Sequence, residues 1–303
     1  METNIAASLP PTETISARYR DLDAWDSATV LEALWEAQLA AVAAVRPALP
    51  AIEAAAAASV PLLARGGRLV YAGAGTSGRI GVQDGAELPP TFDWPRHRVL
   101  LLIAGGEAAL TGSIENAEDD ADAAIAAIAG HAIGGDDIVL GIAASGTTPF
   151  TVAAVREAGR RGALTIGIAN SPASPLLSAA AHPIAVATGA EAIAGSTRMK
   201  AGTAQKVVLN LYSTLVMVRL GRVHQGLMVD MQASNEKLRG RAVRMLRHLT
   251  GRDEAAVRGA LQESGGRVKI AVLVLKGLDP AAAEALLQRN NGQLRAALAE
   301  FST

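Results

Sequence analysis

The chain has 303 residues, half of them hydrophobic but only 3% aromatic, with 28 basic residues against 29 acidic for a formal net charge of −1. That balance offers no electrostatic footprint for nucleic acid or for an anionic membrane surface. With no cysteine, a disulfide framework, a thiol nucleophile and a cysteine-ligated metal are excluded. The five histidines, His97, His131, His182, His224 and His248, show no paired spacing, so no metal is expected.

Residues 1 to about 26, with Pro10 and Pro11, read as an irregular arm. They lack the basic stretch and apolar core of a signal peptide. Apolar runs such as "VLLLIAGG" fall short of the roughly 20 residues a membrane span needs, and a cytoplasmic protein is expected. Helical periodicity then runs from Ser27 to about Gly66, interrupted at Pro47, Pro50 and Pro61, which predicts two or three helices before the first strand.

A strand–loop–helix rhythm follows. The apolar runs "RLVYAG", "RVLLLIAG", "DDIVLGIAAS", "LTIGIAN" and "HPIAVAT" read as strands. Between them, "GRIGVQDGAEL", "GSIENAEDDADAAIAAIAG" and "TPFTVAAVREAGRRG" read as helices. Such alternation predicts an α/β fold, a doubly wound parallel sheet flanked by helices, with right-handed crossovers. Met199 to Leu220 reads as one long, mostly buried helix, followed by a turn and another helix. Short helices complete the chain, with Asp253 and Asp279 near two of their starts as caps or first-turn acids. Within them "IAVLVLKG" reads as a helix, with a strand as the alternative. The expected division is residues 1–235, the N-terminal helices plus the sheet domain, and residues 236–303, a helical C-terminal region. The alanine-rich helices before Gly66 and the long helix after Met199 offer more apolar surface than one sheet can cover. A homodimer of twofold symmetry, with the site near the subunit boundary, is therefore expected.

The first strand runs into "YAGAGTSGRIG", with Gly73, Gly75 and Gly78 spaced as GxGxxG. A dinucleotide would require an acidic residue about 20 positions on, at the end of the second strand. The next acids, Asp84 and Glu87, come too early and end no strand. Thr76 and Ser77 instead place hydroxyls beside the free N–H groups of a helix start, which suits a phosphate. A second strand-to-helix loop, "AASGTTP", presents Ser145, Thr147 and Thr148. Either loop alone could be an ordinary helix cap; two in one parallel sheet converge at the carboxyl end of the strands.

Carboxylates lie close in sequence to these loops. Glu87 precedes Pro89 and Pro90, where a helix is expected to stop. Glu115 and Glu118 are three apart and are expected to share a helix face. Taken alone, Glu115, Glu118, Asp119 and Asp120 look most like a solvated acidic turn. Arg198 and Lys200, in "STRMK", either offset anionic charge or start a surface helix. In "ASNEKL", Ser234 fits a cap with Lys237 at the third helical position, an incomplete capping box.

"GAGTSGR", "DGAELPPTF", "ENAEDD", "GIAASGTTP", "GSTRMKAGTAQK" and "NEKL" occur in an order that resembles the N-acetylmuramic acid 6-phosphate etherases. These belong to the sugar isomerase (SIS) superfamily and are related to glucokinase regulatory protein. The resemblance runs from about Ile52 to the C-terminus. It implies an SIS-type fold, a phosphosugar substrate, no cofactor, and ether cleavage by elimination and hydration. By the same resemblance, Glu87 is the acid for the departing lactate oxygen and Glu118 takes the C2 proton. Glu115 becomes a hydroxyl ligand, and Arg198 lies near the sugar, with Thr76, Ser77, Ser145 and Thr147 at the phosphate; the role of Lys200 stays open. There are departures: Thr147 stands where relatives often carry arginine. Ala86 and Leu88 flank Glu87 where serine and cysteine are usual. Asn290 and Asn291 stand in place of a His-Gly pair. A sugar-phosphate-sensing regulator and a phosphosugar isomerase are the alternatives, and the pair Glu87 and Glu118 favours the etherase.

Overall fold

The computed structural model describes residues 10–231 and 236–302. Among the described residues two α-helices precede the sheet, α1 (Ser27–Ala43) and α2 (Leu49–Ala64), joined by a 3-10 turn at Arg46–Ala48 that carries Pro47. Asp26 starts α1 by accepting the N–H groups of Ala28 and Thr29. Pro50 sits in the first turn of α2, where a missing N–H is tolerated. Pro61, expected as an interruption, lies inside α2 without ending it. Its neighbours Ser59 and Leu63 are buried, and the Ser59 hydroxyl meets Tyr212 Oη at 2.7 Å, so packing holds the helix through the proline. Residues 27–64 together are long and apolar enough to cross a membrane by length and composition. The turn divides them into helices of 17 and 16 residues, each shorter than the roughly 20 a span requires.

The chain divides into two compact units. One holds the residues up to Ala86 and His97–Ser213; the other holds Glu87–Arg96 and the residues from Thr214 on. In the first, β1 (Leu69–Gly73), α3 (Gly75–Phe92), β2 (Val99–Ile103), α4 (Ala121–Gly130), β3 (Ile138–Ala143), α5 (Pro149–Arg160), β4 (Leu164–Ala169), α6 (Pro175–Ala179), β5 (His182–Ala185) and α7 (Lys200–Arg219) follow in turn, with α3 and α7 running past the unit's limits in sequence. The five strands are all parallel, in the order β2-β1-β3-β4-β5. Gly73 lies opposite Ile103 on one side and Ile142 on the other.

Every residue of β1 and β3 is buried, as a sheet covered on both faces demands. On one face Val70, Ala72 and Val139 pack with Ile128 of α4 and Phe150 and Ala154 of α5. On the other, Tyr71 and Ile142 lie against α3, so close that a Cβ on Gly81 would stand 2.8 Å from Ile142 Cδ1. Asp84 of α3, only 3% exposed, accepts hydrogen bonds from Tyr71 Oη at 3.0 Å, Asn210 Nδ2 at 2.8 Å and Ser213 Oγ at 3.3 Å. This carboxylate joins β1, α3 and α7. Burial, and secondarily the Asp84 charge, push the Tyr71 phenol well above its ordinary value.

Two local expectations are corrected. Helix α3 does not stop before Pro89 and Pro90 but runs through both to Phe92. Leu88 and Phe92, one turn apart, are buried, and their packing outweighs the two missing donors. Residues 112–116 are not helical: Asn116 has φ +58°, a single 3-10 turn spans Ala117–Asp119, and α4 begins at Ala121. Glu115 and Glu118 therefore do not share a helix face.

In the second unit a short antiparallel pair, β6 (Val223–His224) and β7 (Leu227–Met228), stands where a turn was expected. Helices α8 (Glu236–Thr250), α9 (Glu254–Glu263), α10 (Val268–Val274), α11 (Pro280–Arg289) and α12 (Leu294–Phe301) follow. Their core includes Met245, Leu246, Leu261, Ile270, Leu273 and Leu286. The stretch "IAVLVLKG" is helical over α10, and Asp253 and Asp279 each accept a first-turn N–H. Ser234, the expected cap before Lys237, lies outside the described residues.

Candidate active site

Strands β1 and β3 are neighbours, and the strand order reverses between them. In open α/β sheets this switch point opens a crevice at the carboxyl ends of the strands. The two hydroxyl-bearing loops follow these two strands. Their backbones explain the glycines without a dinucleotide. A Cβ on Gly78 would stand 2.8 Å from the Gly73 carbonyl oxygen, and Gly75 has φ +51°. Glycine thus lets α3 start directly against β1. In the second loop Gly146 has φ +70°, and a Cβ there would stand 2.1 Å from Ser174 Oγ. No acidic residue ends β2, where Ile103 leads into Ala104 and Gly105.

A cleft of about 420 Å³ opens between the loops. Thr76 and Ser77 line it from the start of α3, and Ser145, Thr147 and Thr148 from the loop before α5. Ser145 Oγ lies 2.9 Å from Thr147 Oγ1 and accepts the Thr147 N–H at 3.2 Å. Thr148 occupies the cap position of α5, yet its side chain caps nothing. Ordinary capping therefore does not account for its hydroxyl. The first N–H groups of α3 and α5 have no partners within their helices and carry the positive end of each macrodipole. Hydroxyls and helix starts around one cleft form a place for an anion.

The acidic segment reaches the same cleft. Arg79 of α3 donates to the carbonyls of Ala109 and Gly112, which holds down the loop leading to it. Ala117 packs into the core, and the next two residues, Glu118 and Asp119, line the cleft. Asp120 is spent differently, accepting the Ala123 N–H at 2.8 Å as the cap of α4. Glu115 is exposed and does not line the cleft.

In the "GSTRMK" segment, Gly195 and Thr197 line the cleft, whereas Arg198 is exposed and does not. Lys200 donates from Nζ to the Ala190 carbonyl at 2.9 Å, and burial pulls its ammonium below the ordinary lysine range. Glu191, 1% exposed, accepts the N–H groups of Lys200 and Ala201 at 2.9 Å each and so fixes the start of α7. Sequence reasoning missed Glu191, Arg79, Asp119, Thr197 and Glu13, which also lines the cleft. Glu13 lies in the arm, far from any motif, and carried no signal. Glu87 is exposed on α3 and falls in the second compact unit.

That second unit holds a larger cavity of about 590 Å³, lined in part by Arg222, Asp230, Arg267 and Lys269. Its charges are already matched: Lys269 meets Asp230 at 2.6 Å and the Gly292 carbonyl at 2.8 Å, and Arg267 forks onto Glu284. Burial lowers the Lys269 pKa although Asp230 opposes the shift. The smaller cleft is the candidate site because its hydroxyls and helix starts suit an anion. At the departure near the C-terminus, Asn290 donates to the Leu286 carbonyl and to Glu300, joining α11 to α12. Asn291, with φ +53°, lines the larger cavity.

Comparison with known proteins matches two family models, the glucokinase regulatory protein N-terminal SIS domain over residues 53–158 and the SIS domain over residues 119–215. The chain is 50% identical over 265 residues to an N-acetylmuramic acid 6-phosphate etherase of Deinococcus radiodurans, covering 88% of this chain and 87% of that one. It is 45% identical to one from Gloeobacter violaceus, covering 87% and 86%, and 56% identical to one from Symbiobacterium thermophilum, covering 70% and 71%. Among solved structures, a phosphoheptose isomerase from Francisella tularensis aligns with a TM-score of 0.49 at 20% identity, covering 64% of this chain and all of that one.

Proposed function

The chain belongs to the N-acetylmuramic acid 6-phosphate etherase family, and from that premise we propose how its residues cleave the D-lactyl ether of N-acetylmuramate 6-phosphate. The products are N-acetylglucosamine 6-phosphate and D-lactate. Substrate plus water and products stand at the same oxidation level, so the reaction calls for no redox cofactor. The observation that carries the reading is the cleft at the β1/β3 switch point, where hydroxyls and helix starts face a carboxylate, Glu118.

The 6-phosphate sits among Thr76, Ser77, Ser145 and Thr147 and the first N–H groups of α3 and α5. Ring opening exposes the C1 aldehyde, which acidifies the C2 proton. Glu118 takes that proton, the C2–C3 double bond forms, and the C3–O bond to lactate breaks. Glu87 gives its proton to the departing oxygen, so lactate leaves with the ether oxygen. The Glu87 carboxylate then deprotonates water as it adds to C3, and Glu118 returns a proton to C2. Each carboxyl group ends as it began, and the sum is water added and lactate lost. Glu115 and Arg198 serve as outer ligands to the sugar hydroxyls and the lactyl carboxylate. The motifs "AELPPT" and "NAEDD" support these assignments, and Glu118 has the further support of lining the cleft.

The working form is a homodimer with the site near its boundary. Supporting this, α1 buries Ala33, Ala37 and Ala41 but leaves Leu31, Trp35, Leu39 and Val42 exposed along another stripe. The compartment is the cytoplasm and the setting is recovery of cell-wall sugar, where a phosphorylated, membrane-impermeant substrate is retained. The direct test is incubation with N-acetylmuramate 6-phosphate and detection of D-lactate. Release by the parent and not by Glu118→Gln supports the reading; no release by the parent refutes it.

A further inference from the structure

The N-terminal arm delivers a carboxylate into the cleft. Pro11–Glu13 form a 3-10 turn. Thr12 is fully buried, and its carbonyl accepts the Gly195 N–H at 3.0 Å. Next to it, Glu13 lies so close to Gly195 that a Cβ there would stand 2.8 Å from Glu13 Oε2. Gly195 has φ +76°, so both its backbone conformation and the space above it favour glycine. The anchored turn thereby sets Glu13 in the wall of the cleft shared by Ser77, Ser145 and Glu118. Among the described residues, no side-chain hydrogen bond or ion pair engages the Glu13 carboxylate.

We propose that Glu13 is a substrate-contacting residue that accepts a hydrogen bond from a neutral N–H or O–H of the bound amino sugar. A carboxylate would repel the phosphate, so its partner lies on the uncharged part of the ring. Its chemistry complements the rest of the cleft. The loops offer hydroxyls and N–H groups to an anion, while the amide N–H and ring hydroxyls of an N-acetyl sugar need acceptors. With Glu118 assigned to proton transfer, Glu13 is free to orient the sugar. The contact fixes the sugar by its amide and hydroxyls and leaves phosphate affinity to the loops. This inference rests on the etherase reading of the same cleft.

The test compares Glu13→Ala, Glu13→Gln and the parent by calorimetry, with N-acetylglucosamine 6-phosphate and inorganic phosphate as probes and lactate release as the activity readout. Loss of a hydrogen bond to a charged group weakens binding by about tenfold or more. Glu13→Ala is expected to lose about that much affinity for the sugar phosphate and none for inorganic phosphate. Glu13→Gln, which keeps an acceptor oxygen, is expected to fall between. Equal losses for both probes would show that Glu13 only supports the loops, and equal gains would show a strap competing with the anion. Unchanged affinity for the sugar phosphate would also overturn the proposal. A parent that binds the sugar phosphate in a Glu13-dependent way but releases no lactate would refute the etherase reading and leave the contact standing.

Discussion

Ser77, 8% exposed, is the most enclosed hydroxyl of the proposed phosphate cradle. Ser77→Ala should weaken binding of N-acetylglucosamine 6-phosphate by about 1–3 kcal/mol, the cost of losing a hydrogen bond to a charged group. Titration calorimetry measures this directly, and unchanged affinity would remove Ser77 from the cradle. That the two hydroxyl-bearing loops meet at one cleft was legible because, in each, the glycines, the hydroxyls and the preceding apolar run lie within one short segment. The acidic segment was only partly legible. Glu115, Glu118, Asp119 and Asp120 are alike in sequence, and the left-handed Asn116 and the core contact of Ala117 decide which of them face the cleft. Glu13 was illegible because its place depends on a carbonyl contact to Gly195, far along the chain.

Among the elements, β1 and β3 are tied at their starts by an ion pair. Arg68 forks onto Asp137 with Nε at 2.8 Å and Nη2 at 2.7 Å, and the Gly134 N–H adds a bond at 2.9 Å. Burial alone would raise the Asp137 pKa, but the Arg68 and backbone donors together hold it below the ordinary carboxylate value. A lowered native pKa means the unfolded chain takes up protons more readily in acid. The stabilisation is therefore fully present above about pH 4 and is lost as pH falls through the lowered native value. Asp137→Asn should be less stable than the parent in urea at neutral pH, with the difference shrinking at about pH 3. A difference that stays constant with pH would show that the charge is not responsible. The strands themselves were legible as runs of apolar residues bounded by glycine. The course of α3 through Pro89 and Pro90 was not, because local proline chemistry argues for a stop, and only the burial of Leu88 and Phe92 overrides it.

For the whole molecule, the exposed stripe Leu31, Trp35, Leu39 and Val42 motivates the proposed dimer. Sedimentation at micromolar concentration should find a dimer, and Trp35→Glu should shift it toward monomer. A parent that sediments as a fully active monomer would show that the dimer is not the working form.

Elimination followed by hydration, with Glu118 and Glu87 in separate roles, marks both products. The decisive experiment runs the reaction in deuterium oxide enriched in oxygen-18 and follows both products by mass spectrometry and NMR. Elimination and hydration should place deuterium at C2 and the heavy oxygen at C3 of N-acetylglucosamine 6-phosphate, and none of the heavy oxygen in the lactate hydroxyl. Glu118→Gln should abolish both C2 exchange and lactate release; Glu87→Gln should abolish release while C2 exchange persists. Each loss should be large, since general acid–base groups contribute about 10²–10⁴-fold. Heavy oxygen in the lactate hydroxyl with no deuterium at C2, or parental lactate release by Glu87→Gln, would contradict it.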